Sequence, residues 1–204
     1  MKNRLAIEEK NADIDHFNSR AATYETARSQ GYFFDRVQRR VLELAKRQNQ
    51  PEAILDVGCG TGRLLRKAKL QWESAKLIGV DAAQKMIEQA TQLFPDAEFH
   101  VSMAEALPLA DKSVDLVFST LSFHHWANQA KGISEVARVL RPNGLFILAD
   151  ITVPSWIAQF VKIFKNNSPA KINNMFTKAG FIVETQQRPW SWFRSVIITI
   201  GVKP

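Results

Sequence analysis

Asp56, Gly58, Gly60, Gly62 and Asp81 are the residues of this chain best suited, by type and spacing, to hold a charged small molecule. The stretch Ile54-Leu55-Asp56-Val57-Gly58-Cys59-Gly60-Thr61-Gly62 reads as an apolar strand, an acid and three alternating glycines ahead of a helix. Such glycines let a ligand lie against bare backbone. A dinucleotide fingerprint spaces them G-x-G-x-x-G and rests a pyrophosphate on the helix N-terminus. This chain has G-x-G-x-G, with Asp56 two residues before the first glycine. A carboxylate at the mouth of the turn repels phosphate and suits a cationic or hydroxylated ligand. Asp81 closes a second apolar run, 19 residues beyond Gly62. A carboxylate there is placed to accept two ribose hydroxyls.

A second group of candidates lies in Leu121-Ser122-Phe123-His124-His125-Trp126. Histidine titrates near neutrality and is the usual agent for taking a proton from a hydroxyl or ammonium group. His124 is the candidate base or substrate ligand. The competing reading has one histidine as a structural hydrogen-bond donor and the other exposed. Metal binding by the pair is disfavoured, because adjacent histidines rarely converge and no nearby cysteine completes a site. The sole cysteine, Cys59, sits inside the glycine turn, which excludes a disulfide scaffold and a cysteine metal centre. Its backbone matters more than its sulfur.

These residues need a scaffold that brings strand ends together. Arg4 to Arg28 reads as a helical lead, and Phe33 to Lys46 as a helix with Phe33, Val37, Val41 and Leu44 on one face. Strands are expected at Ala53–Val57, Leu77–Val80, Glu98–Ser102, Val114–Ser119 and Leu145–Ala149. Helices are expected between them at Gly62–Leu70, Gln84–Phe94 and Asn128–Leu140, with Arg141-Pro142-Asn143-Gly144 as a turn. Alternation of this kind means right-handed βαβ units and a parallel sheet. Ser168-Pro169 caps a further helix that Gly180 closes. Phe181–Glu184 and Ser195–Val202 then form an antiparallel hairpin. Ligands of such a sheet bind outside the carboxyl ends of its strands. Asp56 with Gly58 to Gly62, Asp81, Met103-Ala104-Glu105 and Ser119 all fall at those ends.

The chain has 204 residues, 46% of them hydrophobic and 23% charged, which suits one α/β domain over 1–204 with a core of its own. It divides into a helical lead (1–50), a ligand-binding core (51–150) and a segment with a closing hairpin (151–204). No 18-residue apolar run exists, and Met1 to Lys10 lacks the apolar centre of a signal peptide, so the expected compartment is the cytoplasm. The formal charge of +7 is concentrated at the end. From Ile151 onward, Lys162, Lys165, Lys171, Lys178, Arg188, Arg194 and Lys203 face one acid, Glu184. This is either a solvated basic face or an attraction for an anionic substrate, carrier protein, lipid surface or nucleic acid.

Ile54 to Gly62, Leu77 to Met86, Ser102 to Phe118 and Arg138 to Asp150 resemble, in order and spacing, the successive motifs of class I methyltransferases dependent on S-adenosylmethionine (SAM). Ala179-Gly180-Phe181 is similar as well, and Phe17 to Tyr24 resembles the leading helix of the quinone-biosynthesis and malonyl-carrier enzymes of the small-molecule branch. The resemblance implies a Rossmann-like seven-stranded, mostly parallel sheet of order 3-2-1-4-5-7-6, with strand 7 antiparallel. It implies SAM as cofactor and a small-molecule methyl acceptor. Asp56 and the backbone of Gly58, Cys59 and Gly60 would hold the methionine part, and Gly62 would complete the turn. Asp81 would take the ribose, Ala82 and Met86 would flank adenine, and Ala104 would offer it backbone. Ser119 would line the sulfonium, and Tyr24 would close over the cofactor. The family commonly has an acid just before Ala104, where this chain has Met103. Glu105 is the substitute within reach, with water as the alternative.

The acceptor is expected among the aromatics beyond the fifth strand: Trp156, Phe160, Phe164, Trp190, Trp192 and Phe193. They suit a planar or lipophilic acceptor, or else form core beneath the hairpin. Nucleic acid is disfavoured, because Ser119-Thr120-Leu121-Ser122 lacks the Asn/Asp-Pro-Pro-aromatic sequence that holds a flipped base. The competing functions are a non-catalytic SAM-binding partner subunit, an RNA or protein methyltransferase using the basic end, and a nicotinamide oxidoreductase.

Overall fold

The structure, a computed structural model, describes residues 2–26, 30–48, 50–152, 167–187 and 195–204. The helical lead is α1 (Lys2–Tyr24), then a π-helical turn (Gln30–Phe34) and α2 (Asp35–Ala45). The alternating part follows as β1 (Ala53–Val57), α3 (Arg63–Lys69), β2 (Lys76–Asp81), α4 (Gln84–Leu93), β3 (Glu98–Val101) and β4 (Val114–Thr120). A 3₁₀ turn (Phe123–His125) leads to α5 (Gln129–Val139) and β5 (Leu140–Thr152). The chain closes with α6 (Pro169–Lys178), β6 (Ile182–Gln187) and β7 (Ser195–Val202).

The strands form one sheet in the order β3-β2-β1-β4-β5-β7-β6. β1 to β5 pair in parallel, and β7 runs antiparallel to both β5 and β6. This is the Rossmann-like order that the motifs imply. Alternate side chains of each strand feed two core layers. On one face Leu55, Val57, Val80, Val117 and Phe146 meet Ile133 and Val136 of α5 and Ile172 and Phe176 of α6. On the other, Ile54, Leu77, Leu116, Phe118 and Ile147 meet Val37 and Val41 of α2 and Leu64 and Leu65 of α3. A parallel strand covered on both faces is apolar throughout, and β1 is buried at all five positions. Asp56 is the exception within it, a carboxylate where packing alone would select a hydrophobe.

The helical lead is fastened over the carboxyl ends of the strands. Ile14, Phe17, Ala21 and Tyr24, spaced along one face of α1, pack on Ala83 and Met86 at the start of α4. Asn18 Oδ1 accepts the Lys85 amide at 3.0 Å. Just past α1, the Glu25 carboxylate accepts from Thr61 in the glycine turn and from Arg66 of α3.

Several boundaries differ from the sequence reading, among them β6, which runs Ile182–Gln187 where the pattern predicts Phe181–Glu184, and β5, which extends past Leu145–Ala149 at both ends. The lead helix stops at Tyr24, short of Arg28, and a π-helical turn precedes α2. The expected turn Arg141–Gly144 is a bulge inside β5. Leu140 pairs with Val114 and Leu145 with Leu116, so four residues face one. Arg141 holds the bulge by pairing with Asp115 of β4 at 2.9 Å, and Asn143 donates to the Lys203 carbonyl at 2.7 Å. The hairpin forms as its caps predict. Ser168 Oγ accepts the Lys171 amide, and Gly180 adopts φ +90° after α6. Trp156, Phe160, Phe164, Trp190, Trp192, Phe193, Lys162, Lys165, Arg188 and Arg194 lie outside the described residues. Among the described residues no helix is long and apolar enough to cross a membrane.

Candidate active site

A cleft of about 830 Å³, open mouth included, lies over the ends of β1, β2, β3 and β4 beneath α1. Ligand pockets fall in this size range. Gly58 and Gly60 form its floor, Asp81, Ala82 and Met86 one wall, and Met103, Ala104 and Glu105 the next. Tyr24 and Phe17 cover it from α1, and Thr120, Leu121, Ser122, His125 and Trp126 line the side beyond β4.

The glycine turn explains what such a cleft can hold. The amides of Gly58 and Cys59 both donate to Val80 O, at 2.7 and 3.1 Å. The Gly60 amide donates to Asp81 Oδ2 at 2.9 Å. Three backbone donors that could cradle a phosphate are therefore spent on β2. Gly58 has φ +78° and takes Ser122 against its bare Cα, where a Cβ would collide with the serine side chain. A Cβ on Gly60 would meet only Tyr24, at 3.6 Å, so this glycine leaves room on the cleft side.

Asp81 also accepts the Ala83 amide through Oδ1 at 2.9 Å. A carboxylate has about four acceptor positions, so acceptor capacity remains for hydroxyls. Burial pushes the Asp81 carboxyl above its ordinary value, while the amides of Ala83, Gly60 and Ala82 pull it down. Asp56 lies just beneath the cleft wall, 1% exposed, and its Oδ1 has no hydrogen-bond partner among the described residues. Burial, then the charge of Asp81, pushes its pKa from 3.8 up to about 8. A buried acceptor without a donor is costly. A donor reaching it from the cleft would relieve that cost. The open glycine, the ribose-ready carboxylate and the orphaned acid together fit SAM.

In the cofactor-free protein the raised pKa of Asp56 makes stability depend on pH. Between pH 4 and 8 folded Asp56 holds a proton that the unfolded chain has lost, so stability falls as pH rises through that window. The slope is about 1.4 kcal/mol per pH unit, or roughly 3–5 °C in melting temperature. Asp56→Asn should remove it, read as the difference between the two proteins' melting curves at pH 6 and pH 7.5. Parallel curves would contradict the shift.

Of the residues singled out by sequence, Gly58, Gly60, Asp81, Ala82, Met86, Ala104, Glu105 and Tyr24 line the cleft. Cys59, Gly62 and Ser119 act behind it. The Cys59 thiol is buried beside Gly79, and burial holds it well above the ordinary thiol range. Gly62 begins α3 at φ +75°, backed by Phe99. Ser119 Oγ shares a 2.9 Å hydrogen bond with Ser122 Oγ, which donates to Val57 O. That leaves Thr120 to Ser122 on the cleft side. Glu105 is 5% exposed, and its Oε1 accepts the Asn128 amide at 2.6 Å. His124 is 8% exposed and does not line the cleft among the described residues. Its Nδ1 lies 2.7 Å from Asp150 Oδ1 at the end of β5. The imidazole in the cleft wall is that of His125. Asp13, Ile14, Phe17 and His125 were not assigned to the site by sequence reasoning. The spacing of residues 14, 17, 21 and 24 was the signal for the α1 face.

Known proteins resemble this chain in sequence and in fold. The family described as "Methyltransferase domain" matches residues 55–148. A demethylmenaquinone methyltransferase of Chlorobaculum parvum is 34% identical over 151 residues, covering 70% of this chain and 61% of that protein. A malonyl-[acyl-carrier protein] O-methyltransferase of Hahella chejuensis is 32% identical over 148 residues, covering 70% of this chain and 50% of that one. The chain thus spans about half to three-fifths of these curated relatives. Among solved structures, a SAM-dependent methyltransferase from Aquifex aeolicus superposes with TM-score 0.71 at 20% identity, over 91% of this chain and 97% of that one. A Haloferax volcanii methyltransferase, in complex with the Trm112 activator, gives 0.74 at 22%, over 92% and 97%. These two likenesses bear on the fold. The matched domain, the relatives and the strand order agree: in sequence over residues 55–148 and in fold, the chain resembles the class I SAM-dependent methyltransferases.

Proposed function

We propose that the chain transfers a methyl group from SAM to an uncharged, largely apolar small molecule carrying a hydroxyl group. Bound SAM supplies an electrophilic methyl on a sulfonium. Asp81 holds the ribose and Asp56 accepts from the methionine ammonium, so both ends of the cofactor are fixed. Ala82, Met86 and Ala104 flank the adenine, and Glu105 stands where its amino group would reach. Tyr24, with Phe17, closes the cleft from α1 and excludes water. Alignment of the two reactants is the main contribution a protein makes to this displacement, worth several kcal/mol.

The observation that carries the cofactor half is Asp56 Oδ1, buried and unpartnered beneath the glycine turn. The acceptor half rests on the charge of the lining. Ile14, Phe17, Leu121 and Trp126 are apolar, and the charged residues of the described lining are Asp13, Asp81 and Glu105. Among the described residues no Lys or Arg reaches it, despite the chain's charge of +7. Carboxylate walls repel a carboxylate, a phosphate or a nucleic-acid backbone. The likeness to a demethylmenaquinone methyltransferase supports an apolar, quinone-like acceptor, whereas that to a malonyl-[acyl-carrier protein] O-methyltransferase favours a carboxylate, the alternative that the test below includes.

Methyl-labelled SAM offered with 1,4-dihydroxynaphthalene under argon, and separately with malonyl-pantetheine, tests both halves. Label is expected in the diol. Label in the malonyl compound alone would overturn the acceptor assignment. No label in either, with S-adenosylhomocysteine still bound, would do the same and leave the cofactor half standing.

A further inference from the structure

The two adjacent imidazoles each face a carboxylate from a distant part of the chain. His124 Nδ1 lies 2.7 Å from Asp150 Oδ1, and that same oxygen accepts the Ile151 amide at 2.8 Å. His125 Nδ1 lies 3.2 Å from Asp13 Oδ2 of α1. The rings lie against each other with centroids 4.0 Å apart. Phe17 meets the His125 ring edge-on at 5.0 Å. Of the two, only His125 is in the cleft wall among the described residues, next to Leu121, Ser122 and Trp126.

The geometry points to His125, oriented by Asp13, as the base that takes the acceptor's proton, an inference that rests on the methyltransferase reading above. Donation of Nδ1–H to Asp13 fixes the tautomer and leaves the lone pair on Nε2. The second imidazole does different work. Asp150 anchors His124, and the His124 ring backs that of His125, so the base cannot swing away from the cleft. Asp13 also gives the helical lead a part in the chemistry, because the dyad is complete only while α1 lies over the cleft.

The groups facing His125 are Asp13 from α1, His124 from its own turn and Asp150 from β5. Burial first, then the charge of His124, holds its pKa below the ordinary imidazole range, against the pull of the two carboxylates. The ring is therefore neutral and ready to accept a proton at pH 7. In the step itself the O–H proton passes to Nε2 and its bonding pair stays on the acceptor oxygen. That pair forms the bond to the methyl carbon, while the carbon–sulfur bond breaks with its pair kept by sulfur. The imidazolium then returns the proton to water, with Asp13 balancing its charge meanwhile.

Three variants test this, with 1,4-dihydroxynaphthalene as acceptor. His125→Gln should lower kcat about 100-fold or more, with S-adenosylhomocysteine affinity within about twofold of wild type. Asp13→Asn removes a group that raises the His125 pKa, so the acid limb of the kcat profile should move to lower pH. The same downward shift should appear in the His125 ring resonances by NMR titration, a readout that needs no turnover. Asp150→Asn should move that titration down by less than Asp13→Asn does, and lower kcat less than His125→Gln does. Full turnover by His125→Gln overturns the base, and an unmoved His125 titration in Asp13→Asn overturns the dyad. A wild-type protein that binds S-adenosylhomocysteine and leaves the diol unlabelled also overturns the proposal. Loss of S-adenosylhomocysteine binding in the wild type would instead overturn the underlying methyltransferase reading.

Discussion

Asp81→Ala is expected to weaken SAM binding about 10- to 100-fold, through lost charge-assisted hydrogen bonds of roughly 1.5–3 kcal/mol. Asp81 stands at the end of β2, and its oxygens accept the Gly60 and Ala83 amides at 2.9 Å each. It therefore shapes the glycine turn and, on the proposed reading, would offer its remaining acceptor capacity to the ribose. Removing it acts on both, and the two can be separated. Asp81→Asn keeps one acceptor oxygen for the turn and loses the charge, so it should lose affinity with less change in melting temperature. The Asp56 carboxyl should also titrate at lower pH in either variant, because the charge of Asp81 helps hold it near 8. Calorimetric titration with S-adenosylhomocysteine reads the affinity. An affinity unchanged in Asp81→Ala would remove Asp81 from the ribose site.

Gly58→Ala has the largest expected effect on stability. A Cβ there must be carried at φ +78°, which costs about 1–2 kcal/mol. It would also collide with Cβ and Oγ of Ser122. Ser122 cannot yield freely, since its hydroxyl is tied to Val57 O and to Ser119 Oγ, each at 2.9 Å. Overpacking of this kind costs a further 1–3 kcal/mol or so. The melting temperature should fall by about 5–15 °C. Gly180→Ala is the control, because it has φ +90° and nothing within 4 Å of the added Cβ. It bears the conformational cost alone, so its fall should be about 2–5 °C. Gly58→Ala combined with Ser122→Gly should recover part of the loss. Equal falls for the two single variants would show that the contact with Ser122 is unimportant.

The parts of the site that were legible in the sequence are those set by short-range rules. Asp56 stands out because it breaks an apolar strand, and the glycines because their spacing excludes a pyrophosphate cradle. Asp81 is legible because it closes the next strand at ribose distance. The hairpin is legible through Ser168, Pro169 and Gly180, which cap a helix before two strands. Arg141-Pro142-Asn143-Gly144 misleads for a long-range reason. Its residues are turn formers, and long-range contacts hold them in β5: Arg141 pairs with Asp115 and Glu52, and Asn143 and Gly144 bond to Lys203. The choice between His124 and His125 is of the same kind. They differ by one position on a 3₁₀ turn, and their orientation depends on Asp150 and on Asp13, which is 112 residues away in the chain. Leu121, at φ +57°, adds a twist just before them that no local pattern announces. The use of the glycine-turn amides by Val80 and Asp81 was equally hidden, and it is the feature that makes the turn unsuited to phosphate.

On the proposed reading this glycine turn, with Asp56 and Asp81, binds SAM and not a dinucleotide. Titration calorimetry of the purified chain against S-adenosylhomocysteine and against NADH separates the two. Saturable binding of S-adenosylhomocysteine at one site per chain, with no measurable heat from NADH, is the predicted result. Binding of NADH, or of neither compound, would contradict it.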